Sequence, residues 1–360
     1  MNRKQEMLQG GLWKWSTVCL VLVMLASLAL SGCSTAPASG PVTLKFSTPY
    51  NPPEPPCFYA MHILDLVEKK MPGRVKIERF VSGTQGNVLE HLGLVKSGAM
   101  DVITLHVDQY PQELPLHRIL NMEQSVDRTT CYNNIVKVTQ QNADTKKLLD
   151  AELEKNGIVT LEWVQMGPTG ILTKEKTNTL NWLKGKKVNV IAGWQRNVFQ
   201  ELGYIPTNVA IPELYEAMMR GVIDAIWMAT AAAIPLKWFE VAKANLVIGE
   251  LNVCSQPLAF NKNSWSKLPA DVQKAFQEAS KETAIWSNTK DKEDIDATYG
   301  MFKSKGIDVV NLPASEVSLF YNTLAKHSIA SSLEGAQAAG VKDKAEAILK
   351  VWEPLIGYKK

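Results

Sequence analysis

The stretch from Gly185 to Trp227 constrains the fold of this chain more than any other. Lys187 to Ile191 is a short, mostly β-branched run typical of a buried strand, and the segment that follows has apolar residues at helical spacing. Two more extended runs, Pro206 to Ala210 and Val222 to Met228, flank a short helix that Gly221 ends. This order of strand, helix, strand, helix, strand predicts an open α/β sheet, whose ligand crevice lies at the carboxyl ends of its strands.

The first 33 residues have the pattern of a leader segment. Arg3, Lys4 and Lys14 form a basic region, and the apolar run Ser16 to Leu30 has 15 residues, too few to span a bilayer. The run ends in LSGC, the pattern of a lipoprotein processing site, although an ordinary secretory signal is the alternative. We predict a lipoprotein signal peptide over 1–32 and a diacylated Cys33, whose acyl chains would anchor the protein to a membrane outside the cytoplasm.

The remainder of the chain predicts a short tether and two lobes. Residues 33–41 are small and polar and form the lipidated tether, and the roughly 320 residues that follow exceed what one core usually supports. We assign 42–166 plus 253–294 to lobe I and 167–252 plus 295–360 to lobe II. The net charge is only +3, so the composition does not favour nucleic-acid binding.

The cysteines suggest one disulfide at most. Cys19 leaves with the predicted leader and Cys33 is the predicted acylation residue, so three of the five remain: Cys57, Cys131 and Cys254. An oxidising compartment favours one disulfide and one thiol. We predict that Cys57 pairs with Cys131, because both lie at predicted helix starts in the first half. Separate buried thiols are the alternative.

The central stretch resembles the DctP-like solute-binding proteins of TRAP transporters, whose pattern is roughly lkGlKiR, lGa.P and EvYtALqtGvvDG. Similar motifs, GRVKIERFVSGTQG upstream and LAFNKNSWSKLPADVQ downstream, extend the resemblance over Val42 to about Leu355. The matching residues of the central stretch are Gly185, Lys187, Leu202, Gly203, Pro206, Glu213, Tyr215, Ala217, Gly221 and Asp224.

The resemblance implies a periplasmic-binding-protein-like fold, in which two α/β lobes are joined by crossing strands and a long helix. We predict that helix over Pro269 to Ser304, and another continuous helix from about Thr129 to Asn156. The implied function is delivery of a small organic solute to the TRAP membrane permease by ligand-induced lobe closure. A sensory binding protein for a signalling receptor, a secreted hydrolase and the binding protein of an ATP-driven importer are the alternatives.

The chain is not predicted to be an enzyme or to bind a cofactor or metal. Hydrolase, metalloprotease and phosphate-loop motifs are absent from the sequence, and the five histidines have no metal-ligand spacing. His106 is the histidine of interest, because it follows a predicted strand where an open sheet places ligand groups. A purely structural role is the alternative for His106.

The predicted binding residues depart from the family pattern. The resemblance places two carboxylate-binding arginines at Asn189 and Thr169, an asparagine at Met228 and a further contact at Ile211. A guanidinium makes two charge-assisted bonds to a carboxylate, so losing one clamp weakens carboxylate binding by about 10- to 100-fold. Either another cation such as Arg196 replaces the clamp, or the solute is not a simple acid.

Aromatic residues favour the second possibility. Tyr50, Trp194 and Trp227 fall near predicted strand ends, where they suit a neutral, aromatic or cationic compound. Core packing is the alternative for both tryptophans. The sequence leaves open the identity and charge of the solute and the oligomeric state.

Overall fold

The structure, a computed structural model, describes residues 40–190 and 193–359, except for the side chains of Cys254 and Ser255. The predicted signal peptide, the acylation residue Cys33 and most of the predicted tether therefore lie outside the described residues. Across the described range, no helix combines the length and apolarity needed to cross a bilayer.

Strands and helices alternate along most of the chain. The strands are β1 (Val42–Ser47), β2 (Val75–Phe80), β3 (Val102–Thr104), β4 (Gln124–Ser125), β5 (Ile158–Thr160), β6 (Val164–Thr173), β7 (Lys187–Val190), β8 (Ile205–Asn208), β9 (Ala225–Ala229), β10 (Ala244–Ser255), β11 (Leu258–Asn261) and β12 (Asp308–Asn311). The α-helices are α1 (Pro55–Lys70), α2 (His91–Ser97), α3 (Pro115–Ile119), α4 (Arg128–Val136), α5 (Ala143–Asn156), α6 (Gln195–Glu201), α7 (Leu214–Arg220), α8 (Lys262–Lys267), α9 (Ala270–Ser304), α10 (Ala314–Ala338) and α11 (Lys342–Trp352).

The described strands form two sheets. The first has the order β2-β1-β3-β11-β5, with β1 parallel to β2 and β3. The second has the order β12-β10-β6-β9-β7-β8, with β4 attached to β10 and with β7 parallel to β8 and β9. Strands β6 and β10 run between the sheets, because β6 follows β5 and β10 precedes β11. The predicted two-lobed α/β fold with crossing strands is therefore confirmed.

Both faces of each sheet are buried, although parallel and antiparallel pairs are mixed in both sheets. In the first sheet, Phe46 belongs to one core cluster and Ile103 to another. In the second sheet, Trp227 and Leu172 belong to separate clusters on opposite faces. Each lobe therefore has its own core.

Helix α9 joins the two cores. Its 35 residues, Ala270–Ser304, agree closely with the predicted bounds. Phe276 in its first half packs in the same cluster as Phe260, whereas Phe302 near its end packs in the same cluster as Leu172. The predicted role of this helix as a lobe-spanning element is confirmed.

The helix predicted from Thr129 to Asn156 is interrupted. Helix α4 ends at Val136, a π-helical turn covers Lys137–Gln141, and α5 starts after Asn142. The Asn142 side chain accepts a hydrogen bond from the backbone N–H of Thr145 at 3.0 Å. This N-cap bond starts a new helix, so the prediction of one continuous helix is wrong.

The C-terminal helix α11 packs on the side of the first sheet. Trp352 belongs to the same core cluster as Leu116 of α3. Helix α10 makes the connection, because its Phe320 lies in a core cluster of the second sheet and its Ala336 in the cluster that contains Trp352. This packing departs from the predicted assignment of 295–360 to lobe II, since the chain returns to lobe I after α10.

The predicted disulfide between Cys57 and Cys131 is not formed. Both residues are buried and hold separate thiols. Cys131 lies in the core cluster of lobe I, where the Gln124 Nε2 atom is 3.2 Å from its sulfur. Burial, with a smaller effect of Glu54, raises the pKa of the Cys57 thiol to about 11. Of the two alternatives left by the sequence, the structure shows buried thiols.

Candidate functional site

The carboxyl edge of the first sheet carries Tyr50 and His106, which follow β1 and β3. Their side chains are hydrogen bonded, with the Tyr50 hydroxyl 2.6 Å from His106 Nδ1. Burial lowers the pKa of His106 and raises the pKa of Tyr50. Both groups are therefore neutral at neutral pH, and the pair offers hydrogen bonds rather than charge.

Gln256 joins this edge without having been predicted from the sequence. It lies between β10 and β11, its backbone φ is +56°, and its side chain hydrogen bonds with Tyr50. Its Oε1 atom is buried and has no hydrogen-bond partner within the described part of the chain. A non-glycine residue in the left-handed region is uncommon and occurs often at functional sites. The only sequence signal is its place between two strands, before a proline.

Asn189, predicted to replace an arginine, lies near the carboxyl end of β7 and is 1% exposed. Its Oδ1 atom accepts a hydrogen bond from the backbone N–H of Trp227 at 2.6 Å. Its Nδ2 atom is buried and lacks a partner among residues 40–190 and 193–359. Because an unpaired buried donor costs about 1–3 kcal/mol, this amide is a candidate donor to a bound solute.

Thr169 occupies the position of the second predicted arginine, on β6. It pairs with Ala229 of β9, and its Oγ1 atom is buried without a partner in the described structure. Because β9 lies between β6 and β7, Thr169 and Asn189 lie on the two strands that flank β9, Thr169 beside Ala229 and Asn189 beside Trp227. Each of these flanking strands therefore carries one unpaired polar group.

We expect Asn189→Ala to lower the free energy of unfolding by at most about 1–3 kcal/mol, because it leaves the buried N–H of Trp227 without its acceptor while removing the unpaired Nδ2 donor, which offsets part of the loss. Thr207→Ala is the matched control, since Thr207 is the register partner of Asn189 on β8 and makes only an exposed bond to the carbonyl of Ile205. Urea unfolding of both variants measures the difference. Equal losses would show that the bond to Trp227 contributes nothing.

Trp227 belongs to the core. Its ring centroid lies 5.3 Å from that of Phe199 and 5.4 Å from that of Phe320, the second pair being edge to face. The core alternative for Trp227 is therefore the one that the structure shows. Asn189 is level with Ile226 on β9, whose side chain faces the opposite side of the sheet from the Trp227 indole, so Asn189 contacts only the backbone N–H of Trp227.

The other predicted contacts on the second lobe are half-buried or exposed. Met228 and Ile211 pack at the margin of one core cluster, and Trp194 packs at the margin of the other. Arg196 is exposed in the first turn of α6 and forms no ion pair with any described residue. The second edge is therefore mainly apolar around the amide of Asn189 and the hydroxyl of Thr169.

Two carboxylates near the first edge were not predicted. Asp108 follows His106 by two residues, accepts a hydrogen bond from Asn121 Nδ2 at 2.6 Å and lies 3.5 Å from Arg118 Nε. Glu123 immediately precedes β4, and its pKa is raised to about 7, chiefly by burial and to a smaller extent by Asp108. An acid within the apolar run ILNMEQSV is the sequence signal that could have revealed Glu123.

Two cavities lie away from these edges. One of about 620 Å³ lies on lobe I and is lined in part by Leu153, Trp163 and Trp265. Another of about 310 Å³ lies between the crossing strands and α9, beside Arg128 and Tyr299. Neither is lined by a residue that the sequence predicted for binding, so the candidate site is the pair of polar strand edges.

Two α/β lobes, joined by crossing strands and carrying polar groups at their carboxyl edges, define the class of two-lobed ligand-binding proteins. The model of the DctP family, described as bacterial extracellular solute-binding protein, family 7, matches residues 47–328. The chain belongs to this family, which comprises solute-binding proteins and is not a family of enzymes.

The relatives agree with this assignment. A solute-binding protein from Sulfitobacter sp. strain NAS-14.1 is 26% identical over 293 residues, which are 79% of this chain and 84% of that protein. The C4-dicarboxylate-binding periplasmic protein DctP of Rhodobacter capsulatus is 24% identical, with coverage of 79% and 84%. The fold is similar to a TRAP periplasmic solute-binding protein from Desulfovibrio salexigens with bound orotic acid, with a TM-score of 0.72, 19% identity and coverage of 87% and 99%.

Proposed function

We propose that this protein is an extracytoplasmic receptor that delivers a small organic solute to a TRAP membrane permease. Membership of the family supports this role. The single observation that carries the site is the pair of unpaired buried groups, Asn189 Nδ2 and Thr169 Oγ1, on the two strands that flank β9. A solute that bridges these groups and the Tyr50–His106 pair would stabilise the closed form of the lobes by its differential affinity.

We propose that the solute is not held by the arginine clamp expected for a simple carboxylate. Asn189 and Thr169 supply neutral hydrogen-bonding groups, and Arg196 is exposed on α6. The Rhodobacter relative is named for C4-dicarboxylates, and a ligand of that class would bind here about 10- to 100-fold more weakly than to a site with the clamp.

We also propose the arrangement around this binding domain. Residues 1–32 would be removed, Cys33 would carry the lipid anchor, and 33–41 would be the tether. The lobe boundary would cross β6 near Gly167 and β10 near Asn252. The chemistry would be binding without catalysis, since the candidate site consists of hydrogen-bonding groups and lacks a recognised catalytic motif.

Mass spectrometry of small molecules released from the denatured protein tests this function. We expect one organic solute at near-stoichiometric amount. When this solute is added back to the ligand-free protein at about 100 times its Kd, Tm should rise by roughly 5–10 °C. Small-angle scattering should show a smaller radius of gyration with that solute. The variant Thr169→Val should reduce the shift, whereas Thr207→Val, at the outer strand β8, should not.

Two results would contradict the proposal. If no small molecule is retained and no compound of a broad organic panel shifts Tm, the chain is not a solute receptor. If succinate shifts Tm as strongly as the retained solute, the receptor function stands but the loss of the carboxylate clamp is wrongly interpreted.

A further inference from the structure

Glu123 lies beside the polar edge of lobe I. Strand β4 pairs with β10 in the register Asn252 to Gln124, so continuing that register places Glu123 alongside Val253. Gln256 follows three residues later and contacts Tyr50. The loop before β4 therefore runs beside the segment that leads to Gln256, and its Asn121 bonds Asp108, two residues after His106.

The carboxylate of Asp108 lies near several of these groups. It is close enough to influence the ionisation of Tyr50, His106 and Glu123. Asp108 itself is occupied, because it accepts a bond from Asn121 and faces Arg118. Arg118 therefore pairs with Asp108, and none of the ion pairs among the described residues includes Glu123.

Glu123 has few partners of its own. Its carboxyl group accepts a hydrogen bond from its own backbone N–H and takes part in no ion pair within residues 40–190 and 193–359. Tyr321 of α10 also packs against this segment, with its hydroxyl 3.4 Å from the Glu123 carbonyl oxygen. Burial raises the pKa of Tyr321, so this hydroxyl stays neutral and supplies no charge.

The opposite edge offers no cation at the expected positions. Asn189 and Thr169 are neutral, and Met228, Ile211 and Trp194 are apolar or aromatic. A site with a half-buried acid on one side and no guanidinium at the two clamp positions on the other has a different charge preference from an arginine clamp. It suits a solute with a basic nitrogen at one end and a hydrogen-bond acceptor at the other.

We propose that Glu123 recognises a positively charged nitrogen of the solute, so that the protein binds a basic or zwitterionic compound such as an amine, an amidine or a protonated nitrogen heterocycle. This inference rests on the proposed function and names its substrate class. The nitrogen binds the Glu123 carboxylate while the acceptor end of the solute meets the donors of Asn189 and Thr169.

The expected pH dependence follows from the state of Glu123. Its pKa is about 7 without a ligand, and a cation stabilises the carboxylate, so binding releases a proton. The affinity for a basic solute should therefore rise by about tenfold between about pH 6 and about pH 8, where the ionised fraction of Glu123 changes most. Burial lowers the pKa of His106, which stays neutral over this window and does not reverse the effect.

Two matched pairs of compounds test the charge preference on the full mature protein. Putrescine and succinate have similar length and opposite charge, as do cyclohexylamine and cyclohexanecarboxylate in ring form. We expect the amines to raise Tm, with the shift growing from about pH 6 to about pH 8, and the acids to give little or none. The solute released on denaturation should also contain a basic nitrogen.

The variants Glu123→Gln and Glu293→Gln complete the test. Glu123→Gln should weaken amine binding by about 10- to 100-fold and abolish its pH dependence, whereas Glu293→Gln, an exposed acid on α9, should change neither. Circular dichroism establishes that both variants are folded. Should Glu123→Gln be unfolded, Glu123→Asp serves in its place, because it keeps the charge but withdraws the carboxylate and should weaken amine binding.

Three results would overturn the proposal: acids that shift Tm more than their amine counterparts, an absence of any shift with both amines, or a released solute without a basic nitrogen. Tight binding of an acid with lobe closure would leave the receptor function intact and reject only the basic class. If no tested compound shifts Tm and no solute is released on denaturation, the receptor function itself is rejected.

Discussion

Arg128→Met is expected to lower the free energy of unfolding by about 3–5 kcal/mol near neutral pH. Arg128 Nε donates to Asp291 Oδ2 at 2.6 Å, and Asp291 is 2% exposed. Removing the guanidinium leaves a buried carboxylate without its cation, which costs more than the pair contributes in the native protein. Urea unfolding followed by tryptophan fluorescence measures the loss.

The loss should depend on pH in a defined direction. Burial raises the pKa of Asp291 above its ordinary value while Arg128 opposes the increase, so the variant should have a still higher pKa. A carboxyl group whose pKa is raised by folding favours the folded state below its unfolded pKa, and this contribution is lost as pH rises through the folded pKa. The variant should therefore be closer to the native protein at about pH 5 than at about pH 7.

Two further variants separate the buried pair from an ordinary loss of charge. Asp291→Asn in the Arg128→Met background removes the unpaired charge and should recover much of the stability. Arg74→Met breaks an exposed pair with Asp271, with an N–O distance of 3.1 Å, and should cost no more than about 1 kcal/mol. A loss at Arg128 that is independent of pH and unaffected by Asp291→Asn would show that Asp291 is not the cause.

Gly167→Ala is expected to cost about 2–4 kcal/mol, the second large effect. Gly167 lies on the crossing strand β6 with φ of +84°, and a Cβ atom there would lie 2.2 Å from Asp291 Oδ1. That oxygen cannot easily move, because the other oxygen of the same carboxylate is bonded to Arg128. The strand or the ion pair must therefore shift to accommodate the methyl group.

Gly157→Ala is the matched control for Gly167→Ala. Gly157 also has a positive φ, +65°, but a Cβ atom there would have no atom within 4 Å. The free energy of unfolding of Gly157→Ala should therefore fall by only about 1–2 kcal/mol, which is the cost of the left-handed backbone conformation. Thermal unfolding of the two variants compares backbone strain alone, in Gly157→Ala, with backbone strain plus steric contact, in Gly167→Ala. Equal losses of stability would mean that the Asp291 side chain moves aside at no cost.

Both effects arise where the lobes are joined. Asp291 on α9 bonds Arg128 at the start of α4 and lies against Gly167 on β6, so one carboxylate lies where two lobe-joining elements meet a helix of lobe I. The pattern of the sequence contains an ordinary acid in a helix, an arginine far upstream and a glycine in a strand. Nothing local to any of them indicates that they meet.

The sequence predicted the secondary structure of the central stretch because the pattern there is local. Val198 and Phe199 recur at helical spacing and lie in the core of the second lobe, and Gly221 ends α7 in the left-handed conformation with φ of +76°. The interruption at Asn142 was missed, since an N-cap asparagine within a helical pattern is recognisable only when its side chain is seen to bond the next turn.

The candidate site could be predicted only in part. The position of His106 after a strand followed from the order of strands and helices, whereas Asn189 and Thr169 were singled out by the family resemblance; whether a solute contacts them remains a prediction. The surroundings of Gln256 and Glu123 could not be predicted, because their neighbours come from segments distant in the chain. The core position of Trp227 was also undecided, since both faces of its sheet are buried and alternation alone does not separate them.

The sequence by itself determined the α/β order, the two-lobed class with its long helix, and the loss of the arginines at two expected positions, because these depend on spacing and residue identity along the chain. Only the tertiary structure decided which strand neighbour each side chain faces, which cysteines stay apart, and where α11 packs. Such contacts depend on residues separated by tens to hundreds of positions, and their energies arise only when the chain has folded and water has been excluded.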